Sequence, residues 1–116
     1  MKNLISLMAI LSVLNLTAQE KSIQTSFEVN GVCGMCKARI EKAAIQLTGV
    51  KLAKWSIETH KLKVIYNSRK TDPDQIAKQV AAAGHDTKAF KAPEEAYNSL
   101  APCCKYRDED VLKNHQ

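Results

Sequence analysis

Four cysteines carry the chemistry that this 116-residue chain offers. Cys33 and Cys36 enclose Gly34-Met35. That spacing lets one cysteine end a loop while the other lies on the first turn of a helix, so that both sulfurs converge on one point. A helix start presents free N–H groups and a partial positive charge. Both lower the pKa of a thiol, and the thiolate is the form that binds metal or attacks a disulfide. Lys37 and Arg39 place further positive charge beside the pair. The Cys-x-x-Cys spacing by itself fits metal binding, redox chemistry or a structural pair. Two sulfurs suit a soft ion that accepts low coordination, Cu(I) above all. They are incomplete for Zn(II), which takes four ligands. A third ligand from elsewhere would widen the range to Zn(II) or Cd(II). Met35 is expected to fill a gap under the loop, the usual work of methionine, and not to bind the ion.

Cys103 and Cys104 are adjacent, and neighbouring cysteines cannot bridge each other without distorting the peptide between them. Three roles stay open for them: a second soft-metal site, extra ligands folded back toward Cys33 and Cys36, or disulfides to those same residues.

The elements that must position these sulfurs are legible as periodicities. Residues 23–29 alternate apolar and polar side chains (Ile23, Thr25, Phe27, Val29), the period of a half-buried strand. From Met35 the pattern changes to helical spacing through Cys36, Ile40, Ala43, Ala44 and Leu47, and Gly49 stops it. Ala53, Trp55 and Ile57, then Leu62, Val64 and Tyr66, read as two strands of a hairpin, with Trp55 and Tyr66 facing inward and His60 solvated in the turn. Asp72-Pro73-Asp74 is a helix start. Ile76, Val80 and Ala83 give that helix its apolar face, and Gly84 ends it. Residues 86–91 are expected to form a short last strand. The order β-α-β-β-α-β predicts an α+β, ferredoxin-like split βαβ fold, in which two helices cover one face of a sheet. Beyond Pro93, residues 94–100 read as one or two helical turns with Ala96, Tyr97 and Leu100 facing the domain. The charged stretch 107–116, His115 included, is expected to be a solvated tail, mobile at its end.

Met1-Lys2-Asn3, an apolar run over residues 4–16 and a small-residue end at Thr17-Ala18 have the order of a secretory signal peptide. The run is shorter than the ~20 residues a membrane span needs. The expected organisation is therefore a signal peptide at 1–18, a domain at 19–92 and an extension with the vicinal cysteines at 93–116. An exported, periplasmic protein without stable membrane insertion follows, in a compartment where cysteines are paired or protected by a ligand. Net charge is +5, with 17 Lys and Arg against 12 Asp and Glu. So mild an excess, without a dense basic cluster or a DNA-binding motif, gives no support to nucleic acid as a partner. No nucleophile-base or paired-carboxylate signature points to hydrolysis.

Residues 29–36 (Val-Asn-Gly-Val-Cys-Gly-Met-Cys), followed by Ile40-Glu41, Gly49-Val50 and Gly84-His85-Asp86, resemble the heavy-metal-associated domain. The likeness spans residues 23–91. It differs from the usual Gly-Met-x-Cys-x-x-Cys pattern in that Gly31-Val32 leads straight into Cys33. The resemblance implies a soft-metal carrier and not an enzyme, with Cys33 and Cys36 as ligands. Its cargo would be Cu(I), or else Hg(II), Zn(II) or Cd(II). It would deliver to a metal-transporting membrane protein or another cysteine-bearing acceptor. It also places His85 on a loop that faces the metal, as a candidate third ligand; the alternative is an exposed loop histidine. A thiol-disulfide oxidoreductase, with Cys33 attacking and Cys36 resolving, is the competing function.

Overall fold

The strand with the most regular alternation becomes the centre of the sheet. In the computed structural model, which describes residues 21–115, the strands are β1 (Ser22–Glu28), β2 (Val50–Trp55) and β3 (Lys61–Asn67). The signal-peptide reading of residues 1–18 lies outside the described residues. β3 lies between the other two and is antiparallel to both. Leu62, Val64 and Tyr66 point to one face of β3 and are buried. Leu62 is opposite Phe27 on one side and Trp55 on the other, so the three side chains share that face.

Helices α1 (Gly34–Ile45) and α2 (Pro73–Ala82) cover this face. The α1 stripe Cys36, Ile40, Ala43 and Ala44 is buried, as is the α2 stripe Ile76, Ala77, Val80 and Ala81. Asp72 caps α2 by accepting from the Gln75 N–H at 2.9 Å, with Pro73 in the first turn. The end of β2 is tied to α1 through Glu41, whose carboxylate accepts from the Trp55 N–H at 2.8 Å and from Lys37 Nζ at 2.6 Å. The Trp55 indole N–H donates to the carbonyls of Val29 and His60, at 3.0 and 3.2 Å, and so fixes the chain that leads into the cysteine loop. A Cβ at Gly31 would stand 3.0 Å from the Trp55 ring, so any larger residue there would have to push the indole aside. His60, expected to be solvated, is half-buried and stacks on Trp55 at 5.5 Å.

Three expectations need correcting. Ile57 lies beyond the end of β2 and is exposed, because the hairpin closes at Ser56, whose N–H donates to the Lys61 carbonyl at 3.0 Å. Residues 86–91 do not form a strand. Only a single antiparallel bridge, Val29 to Thr87, remains beside β1. The chain turns back at once, with the Thr87 N–H donating to the Phe90 carbonyl at 2.8 Å and the Phe90 N–H to Thr87 Oγ1 at 3.0 Å. Residues 107–115 are solvated, as expected, yet carry a tether and a helix where the sequence reads as a plain tail. Arg107 is paired with Asp86 at 2.8 Å, and α4 (Glu109–Asn114) is capped by the Asp108 carboxylate.

Between these points α3 (Glu94–Asn98) and a 3-10 turn (Pro102–Cys104) form a strap across the domain. Tyr97, Leu100, Cys104 and Tyr106 are buried in the same core as α1 and β3. The strap needs Gly84 at the end of α2: φ there is +117°, and a Cβ would lie 2.9 Å from Leu100 Cδ2. Gly84→Ala is therefore expected to destabilise the protein by about 1–2 kcal/mol from the backbone conformation alone, and by more through the clash with Leu100. Urea unfolding monitored at Trp55 checks this, and an unchanged midpoint would contradict it.

Candidate metal centre

Cys33 is the N-cap of α1, with extended backbone (φ −138°, ψ 176°), and Cys36 is on the first turn. Their sulfurs are 3.5 Å apart, as the spacing predicts. The Cys33 sulfur has a second neighbour. Cys104 Sγ, brought back by the strap, lies 3.4 Å away. The sulfurs of Cys33, Cys103 and Cys104 all lie within 4.8 Å of one another, and among the described residues this is the group of three or more side chains placed to hold a metal ion. The structure thus brings all four cysteines together around Cys33, and each of them is a free thiol. They form a gradient from inside to outside. Cys36 and Cys104 are fully buried, Cys33 is half-buried and Cys103 is exposed. Met35 does not pack beneath the loop. It is 52% exposed, because its place on α1 faces away from the buried stripe, and its sulfur lies 3.6 Å from Cys103 Sγ.

Burial pushes the Cys33 thiol up. The Cys36 N–H, the Cys104 and Cys36 thiols and the Met35 N–H outweigh it and bring Cys33 down to about 7. The free N–H groups of the helix start do what the sequence predicts. Cys104 moves the other way, to about 11, driven first by burial and then by hydrogen bonding with Cys36 and Cys33, while Arg39 opposes the rise. Cys103 is also pushed up, by desolvation first and then by Cys104 and Cys33. Of the two cations flanking the pair in sequence, Lys37 is committed to Glu41 and to the Trp55 carbonyl, the latter at 2.7 Å. Arg39 faces the sulfurs. It stands three residues after Cys36 on the same helical face, and its Nη1 is buried without a hydrogen-bond partner. Its spacing from Cys36 is the signal that marks it in the sequence.

His85 is neither exposed nor grouped with the sulfurs. Its ring is fully buried and stacks on Tyr106 at 5.4 Å. Nδ1 lies 2.9 Å from the Asn30 carbonyl, which can only accept, so Nδ1 carries the proton. Desolvation first, helped by the Arg39 charge, lowers its pKa against the opposing Asn30 carbonyl and Asp86 carboxylate. The imidazole is thus a neutral brace behind the cysteine loop.

A half-buried and a buried sulfur side by side at a loop–helix junction, on an α+β sandwich, define a class of small soft-metal-binding domain. The family model of the heavy-metal-associated domain matches residues 26–86, and the chain belongs to that family. Among solved structures it is similar to the CopZ metallochaperone, at 29% identity and a TM-score of 0.54 over 56% of this chain and 98% of that one. It is similar to oxidized MerP from Ralstonia metallidurans CH34, at 25% identity and a TM-score of 0.56 over 59% of this chain and 96% of that one. It is also similar to the N-terminal domain of a potential copper-translocating P-type ATPase from Bacillus subtilis in its Cu(I)-loaded state, at 25% identity and a TM-score of 0.55 over 59% of this chain and 86% of that one. No curated protein matches the sequence. The ferredoxin-like α+β class predicted from the element order holds.

The thiol pKa values order the reactivity of the cysteines. Alkylation of the reduced protein is expected to reach Cys33 first, at a rate that rises as pH climbs through about 7 because only the thiolate reacts. Cys103 should follow at more alkaline pH despite its exposure, and Cys104 last. Peptide mapping of iodoacetamide-treated samples across pH tests the order, and labelling of Cys103 ahead of Cys33 at neutral pH would refute it.

Proposed function

We propose that the protein binds a soft metal ion between Cys33 and Cys36 and passes it to another protein, with Cu(I) as the favoured cargo and Hg(II) next. The observation that carries this reading is the pair of sulfurs 3.5 Å apart, one half-buried and one buried, at the start of α1 in a heavy-metal-associated domain. The Cu(I)-loaded state of a structurally similar ATPase domain supports the choice of ion, and the similarity to a metallochaperone supports transfer. Two thiolates suit a soft monovalent ion of low coordination. Zn(II) or Cd(II) would require further sulfurs.

The ion keeps its oxidation state throughout. An incoming thiolate from a cysteine-bearing acceptor, such as a metal-transporting membrane protein, adds to the ion. A three-coordinate intermediate forms, and one original sulfur leaves. The net charge of +5 favours encounter with an acidic acceptor surface. The charged, apolar and small-residue order of residues 1–18 supports export to the periplasm as the setting. The low pKa of Cys33 and its 3.4 Å approach to Cys104 also favour a second reading, thiol-disulfide exchange. Catalytic reduction of insulin disulfides, absent on the metal-carrier reading, distinguishes it.

Native mass spectrometry of the reduced protein titrated with Cu(I) tests the primary reading. Wild type is expected to bind one equivalent tightly. Cys33→Ser and Cys36→Ser should each weaken that equivalent by about 100-fold or more, since each loses a direct ligand where outer-shell changes alone cost 10–100-fold. Equal Cu(I) retention by wild type and Cys33→Ser would remove the basis of the proposal.

A further inference from the structure

The strap lies outside the residues that define the family, 26–86, yet it carries two of the four sulfurs. It is held firmly on both sides of them. Before the cysteines, Ala92, Tyr97 and Leu100 are buried, and the Ala92 N–H donates to Asp86 Oδ1 at 2.7 Å. After them, the Tyr106 hydroxyl donates to the Gly84 carbonyl at 2.7 Å and accepts from the Asp86 N–H at 2.9 Å. Arg107 grips the Asp86 carboxylate at 2.8 and 3.2 Å and covers the Tyr97 ring at 4.1 Å. Lys105 Nζ closes the turn onto the carbonyls of Tyr97 and Asn98. A segment anchored at so many points presents Cys103 and Cys104 at fixed positions.

From this arrangement we infer that the extension supplies in cis the ligands that a transfer partner would otherwise bring: Cys104 is the third sulfur for an ion held by Cys33 and Cys36, and the exposed Cys103 is the sulfur through which the ion leaves. The inference rests on the soft-metal reading above and specifies how that site is completed and emptied.

Three observations support it independently. The first is spacing. A trigonal ion with metal–sulfur bonds of about 2.3 Å needs sulfurs about 4 Å apart. Cys33 stands 3.5 Å from Cys36 and 3.4 Å from Cys104, so the Cys33 sulfur has both proposed partners at close to that spacing. A linear pair would need about 4.6 Å from the same bond length, well beyond the Cys33–Cys36 separation. The second is charge. Three thiolates around Cu(I) leave a net dinegative centre, which is costly to bury without a counter-charge. The unpartnered buried Nη1 of Arg39 provides one. The third is the burial gradient. Cys104 is sealed within the core while Cys103, its neighbour in the chain, faces solvent beside the exposed Met35 thioether.

The handover step is balanced without any redox change. A bond from the ion to Cys103 Sγ forms as the bond to Cys36 Sγ breaks. The proton leaving Cys103 goes to solvent, and Cys36 takes one back. Cys33 and Cys104 hold the ion during this step. Acceptor thiolates then add to the ion from the open side, each as a bond to Cys104 or Cys33 breaks and that sulfur takes back a proton from solvent; the bond to Cys103 breaks last, its sulfur protonated in turn, and the ion leaves on the acceptor's sulfurs.

The test uses the reduced full chain loaded with one equivalent of Cu(I). X-ray absorption is expected to count three sulfurs on the ion in wild type and two in Cys104→Ser and Cys104→Ala. Competition with a Cu(I) chelator should show those variants binding about tenfold or more weakly than wild type. Cys103→Ser, at an exposed position, should pass Cu(I) to a dithiol peptide about tenfold more slowly than wild type, since access of the attacking thiolate governs exchange. Two sulfurs in wild type overturns the role of Cys104 even if its variants fail to fold. Wild-type transfer rates in Cys103→Ser overturn the exit role. Wild type that binds Cu(I) no better than Cys33→Ser fails at the earlier step and overturns the carrier reading together with this one. Tight Cu(I) binding with unchanged coordination in the Cys104 variants overturns this inference alone.

Discussion

Asp86 joins the two halves of the site. Its backbone carbonyl accepts from the Asn30 N–H at 2.9 Å, on the chain entering the cysteine loop. Its carboxylate takes the Ala92 N–H and the Arg107 guanidinium, one at each end of the strap. Its own N–H goes to the Tyr106 hydroxyl. Desolvation opposes the charge on this half-buried carboxylate, but Arg107 and the Ala92 N–H outweigh it and hold its pKa below the ordinary value. A charged acceptor with several donors is worth more than the same donors facing water. His85, one residue earlier, extends the joint by donating to the Asn30 carbonyl and stacking on Tyr106. The distance from Cys33 to Cys104 is therefore set far from either sulfur, by a polar cluster at the end of α2.

The same joint explains the truncated sheet. A fourth strand beside β1 would have to run on from Asp86 in extended form. The Ala92 N–H and Arg107 compete for the Asp86 carboxylate, and the chain reverses between Thr87 and Phe90 to meet them. One bridge to Val29 survives. The edge of β1 gives up ladder hydrogen bonds so that the strap can return to the sulfurs, an exchange of regular structure for placement that is common around functional sites.

Much of this was legible in the sequence because it rests on local signals. The helical spacing from Cys36 to Ala44 marks α1, Leu62-Val64-Tyr66 marks the central strand, and Asp72-Pro73 marks the start of α2. The Cys33–Cys36 convergence is a property of one helix start and needs no tertiary information. The rest depends on contacts between distant residues. Cys33 meets Cys104 across 71 positions, and Arg107 meets Asp86 across 21. Periodicity contains no such distances, so the vicinal cysteines were open to three roles and residues 107–116 read as a tail. Met35 and His85 show the same limit at single residues. A methionine between two cysteines packs inward or outward according to helix register, and the burial of a loop histidine depends on what the strap lays over it.

Completing the site from within changes what controls it. In a bare two-sulfur carrier the ion is exposed to any competing thiol, and retention depends on the scarcity of competitors. With Cys104 sealed in the core and Cys33 already close to its thiolate form, loading the ion displaces the protons most tightly held, above all the one on Cys104. Binding and proton release are then linked. The cost of creating buried negative charge falls on a site that has Arg39 beside it. Dissociation would break every bond to the ion with none formed in return, whereas exchange through Cys103 replaces each broken bond with a new one. The arrangement thus opposes leakage to solvent while keeping one open route for an acceptor whose thiolate can reach that sulfur, and selectivity resides in the geometry of the exit as well as in the affinity of the site.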